Sequence, residues 1–536
     1  MSHTLAYRHW IRLLQQARRL NLHAQGKPAP LPSPGRRRFL RNTVVGGLGL
    51  TALGGFTACA PGKNKVVVVG GGLAGLNAAY QLGLAGVRAQ VFEARNRVGG
   101  RIRSVLNAVS EGVVTDLGAE LVNTDHEDLR ALLDAFGIPL MPRKDDALLD
   151  MVGYFFGGSR RDEAEIAAAL APFAAQVMED SERLDTDWDT YGPQFDQLSL
   201  ADYLDLHGHL LPADPDLRTL IESLIRVEYG VEPENSSALQ LLYVLPVVDG
   251  EQVELISTSD EAWVIQGGSE SVIKALHGVL APQVQTDMAL TALRKTRDGY
   301  RLTFNNHHSV DADYVVLALP LTALRQVDLQ LELPESLQRF ISEVSLGRNE
   351  KIVAGVQQRV WRTEQGFRNE CWSDQSVALL WDSSLRELAS RENGALTFFL
   401  GGHEVEETAH GRAEKQGARL VQEYDNVLPG LLANSNGRYV RTAWHRTAGI
   451  MGGYTNFRPG QYTEFASEWM YVESDDPDEA NDAQVDRLLL AGEHTSDDYY
   501  GFMNGAAQTG RLAAQWILRD MEEVVRLEGK EVTAAS

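Results

Sequence analysis

The chain has 536 residues, 44% hydrophobic and 23% charged, with a formal net charge of −23. That length allows two or three domains of roughly 100–200 residues, and the composition excludes wholesale disorder or a fibrous repeat. Two cysteines exclude a disulfide framework or a Cys-rich metal site. The acidic balance argues against nucleic acid as a partner.

The charge is unevenly spread. Residues 1–92 hold twelve Lys or Arg and no acid, so −23 less +12 leaves −35 on the remainder. Within the basic beginning, Arg36-Arg37-Arg38-Phe39-Leu40-Arg41 precedes an uncharged, Gly-rich run from Thr43 to Ala58. Sixteen residues are too few to span a bilayer of about 30 Å comfortably but suit the apolar region of a signal peptide. The paired arginines before Phe-Leu resemble a twin-arginine signal. Residues 1–60 are therefore read as an export signal, with the twin-arginine export machinery as a partner and the periplasm as destination. Phe56-Thr57-Ala58-Cys59 resembles a lipoprotein box with Cys59 as lipid acceptor, while Ala58-Cys59-Ala60 equally fits a small-x-small cleavage site. Ahead of the arginines, Tyr7 to Leu22 can form a basic amphipathic helix.

Lys65-Val66-Val67-Val68-Val69 predicts a strand buried on both faces. Gly70-Gly71-Gly72-Leu73-Ala74-Gly75 and a helix over 76–85 follow, the dinucleotide fingerprint in its strand–loop–helix setting. Gly70 permits the tight turn, Gly72 a close backbone approach to a pyrophosphate, and Gly75 close packing of helix on strand. A second strand, Arg88 to Phe92, ends at Glu93, placed for a ribose 2′-hydroxyl and against a 2′-phosphate.

Glu93-Ala94-Arg95-Asn96-Arg97-Val98-Gly99-Gly100-Arg101 resembles the second signature of the flavin-containing amine oxidase family, which includes monoamine, polyamine and L-amino-acid oxidases. Ala491-Gly492-Glu493-His494-Thr495 and Gly501-Phe502-Met503-Asn504-Gly505-Ala506 resemble its closing motif. The resemblance implies an α/β fold: a discontinuous Rossmann-like FAD-binding domain (63–145, 262–330, 470–520), a mixed α+β substrate-binding domain (146–261, 331–469) and a tail over 521–536. It implies FAD-binding roles for Gly70, Gly72, Leu73, Ala74, Gly75, Glu93, Ala94, Arg95, Gly99, Gly100, Arg101, Gly118, Ala119, Glu120, Ala289, Gly492, Glu493, Gly501, Phe502, Met503 and Ala506.

The family's glycine–glycine–x–tyrosine element is resembled by Met451-Gly452-Gly453-Tyr454, which puts Tyr454 and Phe502 at the two aromatic positions around the amine and Trp444 near the flavin. Gly453 stands where monoamine oxidases carry a flavin-linking cysteine, so FAD is expected to be non-covalent. Leu346 to Ile352 resembles the strand whose lysine holds a water at flavin N5, here Lys351. Glu120, in Asp116-Leu117-Gly118-Ala119-Glu120, points to a second positive charge on the substrate, and Arg226 is a candidate carboxylate partner.

The implied reaction is oxidation of an amine C–N bond on a small molecule, a cationic amine or polyamine. Hydride passes to flavin N5, the imine hydrolyses, and electrons leave to O2, giving hydrogen peroxide, or to a quinone. An L-amino-acid oxidase or dehydrogenase for basic amino acids, an FAD-dependent desaturase and a non-catalytic flavoprotein are the alternatives. No His-Glu-x-x-His or Cys-x-x-Cys spacing predicts a metal. Oligomeric state is left open, a homodimer among the options.

Overall fold

The structure is a computed structural model that describes residues 5–26, 31–34, 65–143, 152–212, 214–242, 247–249, 252–255, 261–364, 366–384, 392–474 and 480–534. The arginine motif at 36–41, the apolar run at 43–58 and Cys59 lie outside the described residues.

The four valines form the strand Val66–Val69, every residue buried. It sits in the middle of a six-stranded sheet ordered 284–285, 89–92, 66–69, 314–317, 488–490, 484–485. All pairings are parallel except that of 484–485 with 488–490. A strand with neighbours on both sides and every side chain buried has no wet face, which is why it reads as an unbroken β-branched run. Gly70 turns the chain with φ +109°, and a Cβ there would lie 2.3 Å from the Ala318 carbonyl oxygen. The helix that follows begins at Leu73, three residues earlier than its apolar pattern predicts, and runs to Leu84. A Cβ at Gly75 would lie 2.0 Å from the Gly70 oxygen and 3.0 Å from Val68, so only glycine lets helix and strand pack this closely.

The sheet thus gathers strands from residues 66–92, 284–317 and 484–490. A four-stranded sheet, ordered 309–312, 300–304, 290–295, 328–330, adjoins it in sequence. The closing helix is longer than expected. It starts at Met503 and runs unbroken to Ala534, so residues 521–534 continue a helix and are no separate tail.

The second half is built on a seven-stranded mixed sheet ordered 435–441, 349–356, 394–401, 379–382, 370–373, 152–156, 159–161. Period-two alternation divides its faces. Ile352, Ala354, Leu396, Phe398 and Leu400 pack with Leu420, Val421 and Tyr424 of a covering helix. Lys351 and Phe399 are register partners, as are Phe399 and Leu379, so these three form a row across the opposite face. Two helices, Glu163–Ala169 and Ala171–Thr186, meet at Leu170, with Pro172 in the second one's first turn.

The amphipathic helix ahead of the arginines forms as Leu5–Ala24. It lies against the helices Glu163–Ala169, Ala171–Thr186 and Pro215–Tyr229.

Candidate active site

A hollow of about 360 Å³ opens at the carboxyl ends of the parallel strands, where ligands bind in open α/β sheets. Its wall brings together segments far apart in sequence: Gly70, Gly72, Leu73 and Ala74; Glu93, Ala94, Arg95, Gly99, Gly100 and Arg101; Gly118 and Ala119; Ala289; Gly492 and Glu493; Gly501, Phe502, Met503 and Ala506. Lys351, Trp444 and Tyr454 complete it. Of the residues expected to bind FAD, Gly75 lies behind the wall in the helix–strand contact. Glu120 lies beyond it, on a smaller chamber of about 60 Å³.

The loop geometry fits an elongated anion with sugar hydroxyls. A Cβ built on Gly72 meets no protein atom within 4 Å, so the hollow reaches bare backbone there. The Glu93 carboxylate accepts N–H bonds from Gly71 (2.8 Å) and Arg95 (2.9 Å), which hold it at the end of its strand. Burial pushes this carboxyl above its ordinary range, opposed by those two bonds and by Arg95 and Arg97. The buried Glu493 is committed to the protein. It accepts from Arg101 Nη1 at 2.8 Å, from the Thr455 hydroxyl at 2.9 Å and from the Gly501 N–H at 2.6 Å. Burial alone would raise its pKa; the Arg101 charge and these donors outweigh burial and hold it below the usual range. Arg101 also donates to the Gly453 carbonyl at 2.5 Å. One guanidinium therefore ties the second signature to the segments carrying Tyr454 and Phe502.

Those two rings line both hollows, as do Lys351, Phe399, Gly118, Ala119, Gly501 and Met503. The smaller chamber is closed by Leu121, Glu261, Leu379 and Trp381. Burial pushes the Tyr454 phenol above its ordinary range, aided by the negative charges of Glu228 and Glu261. Phe502 meets the buried His126 edge-on at 4.8 Å between ring centres. The Trp444 indole N–H donates to the Leu117 carbonyl at 3.1 Å.

Lys351 is buried at the wall the two hollows share. Its Nζ donates to Glu120 Oε2 at 2.8 Å and to the Asp116 carbonyl at 2.9 Å, and stands 4.9 Å over the Trp381 ring. The expectation that Glu120 receives a second positive charge from the substrate is thereby corrected: its charge is already balanced by Lys351. Arg226 is also displaced from its expected place. It occupies the last turn of the helix Pro215–Tyr229, where a cation is favoured. There it donates to Glu232 at 2.9 Å, on the wall of neither hollow. Sequence reading missed Leu379, Trp381 and Phe399. The alternation of Leu379 and Trp381 along a short strand carried the signal, but only the register with Lys351 shows which face it fills.

Comparison with known proteins accords with this geometry. The family model described as flavin containing amine oxidoreductase matches residues 73–518. Human flavin-containing amine oxidase B is 25% identical over 478 residues, covering 86% of this chain and 87% of its own. The zebrafish (Danio rerio) flavin-containing amine oxidase is 23% identical over 476 residues, covering 84% and 85%. Among solved structures, a putrescine oxidase bound to putrescine superposes with a TM-score of 0.69 at 20% identity, covering 85% of this chain and 99% of that one. Cyclohexylamine oxidase from Brevibacterium oxydans gives 0.70 at 20% identity, covering 86% and 99%.

Proposed function

The chain belongs to the family of flavin-containing amine oxidoreductases, an FAD-dependent enzyme acting on amines, and from that premise we propose that its substrate is a small amine with one ammonium group and an apolar body. The carrying observation is the chamber: Leu121, Leu379, Trp381 and Phe399 surround the space beside Tyr454 and Phe502, and the two carboxylates on its wall, Glu120 and Glu261, already face Lys351 at 2.8 Å and Arg143 at 3.8 Å.

Bound in the larger hollow, FAD supplies the two-electron acceptor for the C–H bond beside the amine nitrogen. The protein's part is positioning and desolvation. Tyr454 and Phe502 grip the amine by packing and by attraction of cations to ring faces. The apolar wall strips water from the ammonium, which favours the neutral amine needed for C–H cleavage. Burial keeps the Tyr454 phenol protonated. Trp444, fixed through Leu117, supports the turn at Gly118. The imine product hydrolyses in water to a carbonyl and ammonia or a smaller amine.

Lys351, paired with Glu120, holds its ammonium as a hydrogen-bond donor at the junction of the hollows, which suits dioxygen as electron acceptor with peroxide as product. FAD is held without a covalent bond, because Gly453 carries no thiol to link it, and the position is tight, with an added Cβ 2.7 Å from Asn349 Oδ1.

Anaerobic mixing with a panel of amines tests it. Benzylamine- or cyclohexylamine-like compounds are expected to bleach the yellow flavin, with peroxide formed on admitting air. Bleaching only by putrescine, spermidine, lysine or arginine would overturn the substrate class. Bleaching by no amine would overturn the reading, and colour restored by a quinone but not by air would remove dioxygen.

A further inference from the structure

The segment ahead of the arginine motif is built into the fold. On the helix Leu5–Ala24, Leu13 and Ala17 have no exposed surface and Leu14 is 4% exposed, all within the main hydrophobic core. They enter at one helical spacing, i, i+1 and i+4, so one stripe of the helix faces the protein. Polar side chains fix the register. Gln16 donates to Glu163 at 2.6 Å, Asn21 donates to the Ala171 carbonyl at 2.8 Å, and Arg18, itself buried, reaches Met178 Sδ at 3.2 Å. Burial lowers the Arg18 pKa to about 10 against the pull of Glu182. Three helices of the substrate-binding half contribute to this contact.

Beyond the helix, residues 31–34 pair in parallel with 252–255, at the edge of the hairpin whose other strand is 247–249. That hairpin precedes Glu261, which lines the small chamber. A free targeting sequence has no reason to carry a buried stripe matched to three helices, specific side-chain hydrogen bonds and a strand register. A leader that departs would also bare apolar surface on the three helices it now packs against.

We propose that residues 5–34 are a resident clamp on the substrate-binding half, and that a cut between this segment and the FAD-binding half leaves them bound as a non-covalent piece. The apolar surface between the helices 163–186 and 215–229 is then the docking surface, and its occupant is this chain's own N-terminal helix. The inference depends on neither the substrate nor the acceptor.

The test inserts a site for a specific protease after Pro61 in the full-length, FAD-loaded protein, cuts it, and passes it over a sizing column at micromolar concentration. The N-terminal fragment, identified by mass, is expected to co-elute with the body. Fragment running free from the unsubstituted protein would overturn the clamp. Leu13→Asp with Leu14→Asp is expected to release the fragment and lower the melting temperature by several degrees. Should that variant fail to fold, hydrogen exchange on the uncut chain decides. Amides of residues 13–17 are expected to be protected like those of 217–224, and full exchange within seconds would overturn the proposal.

Discussion

Replacing Glu120 by Gln tests whether the Glu120–Lys351 pair holds a working charge. The substitution keeps shape and a hydrogen-bond acceptor but removes the negative charge 2.8 Å from an ammonium whose side chain is 6% exposed. Removing one member of a buried ion pair costs about 3–5 kcal/mol, because the other charge stays buried without its counter-charge. Here the ammonium keeps the Asp116 carbonyl at 2.9 Å and the Trp381 ring at 4.9 Å. A charge-assisted hydrogen bond contributes about 1.5–3 kcal/mol and a desolvated cation–π contact about 2 kcal/mol, so the loss falls at the lower end, about 3 kcal/mol. Lys351→Met removes the charge that needs compensation, so the double variant should cost clearly less than the summed single costs, with a coupling of about 2 kcal/mol. Urea unfolding of the four FAD-loaded proteins measures this. Stopped-flow absorbance separates the chemistry: anaerobic bleaching by amine should change little in Lys351→Met, while return of yellow colour in air should slow by about a hundredfold, the usual consequence of losing one electrostatic stabiliser. Strictly additive stability costs would refute the pairing argument. Bleaching slowed as much as colour return would refute the assignment of Lys351 to the oxygen step.

Gly72→Ala should leave the melting temperature of the apoprotein unchanged, since a methyl there meets no protein atom, yet weaken FAD binding at least about tenfold by blocking backbone approach, as read by flavin fluorescence titration. Gly118→Ala should damage both, because its Cβ would lie 1.7 Å from the Arg101 carbonyl oxygen and the turn must move. Glu404 is wholly buried, and burial holds its carboxyl at about 7. The folded state therefore binds a proton that the unfolded chain has released, so this residue's stabilising contribution is complete below about pH 4.5 and is lost as pH rises to about 7, a decline of about 3 kcal/mol. Glu404→Gln should remove that decline from the pH dependence of urea unfolding. Arg226→Ala should leave KM for amines unchanged and cost about 1 kcal/mol of stability, since its half-buried partner Glu232 is off the site.

Legibility in the sequence followed the range of the forces involved. The cofactor hollow was readable because its parts are local: a β-branched strand, a glycine turn and a helix start must be contiguous to cradle a diphosphate. The backbone does most of the binding there, and glycine spacing is a direct record of backbone geometry. Glu120 and Arg226 were misread for a shared reason. A charged residue in sequence shows that a charge exists but not what balances it. Lys351 is 231 positions from Glu120, and no local pattern couples them.

The chamber was hidden for a different reason. Leu379, Trp381 and Phe399 look like ordinary strand residues, and which face of a strand is wet depends on register with other strands: Phe399 lies 20 positions from Leu379 and 48 from Lys351. Once the register is known, one row across the sheet (Lys351, Phe399, Leu379) sets charge and apolar surface side by side. This explains how a fold can keep its cofactor loops while changing substrate: the loops are fixed by backbone contacts, but the chamber is written in side chains on one sheet face. A substitution at Leu379, which lines the small chamber alone, should therefore move amine preference without moving FAD affinity, whereas one at Gly72 should do the reverse.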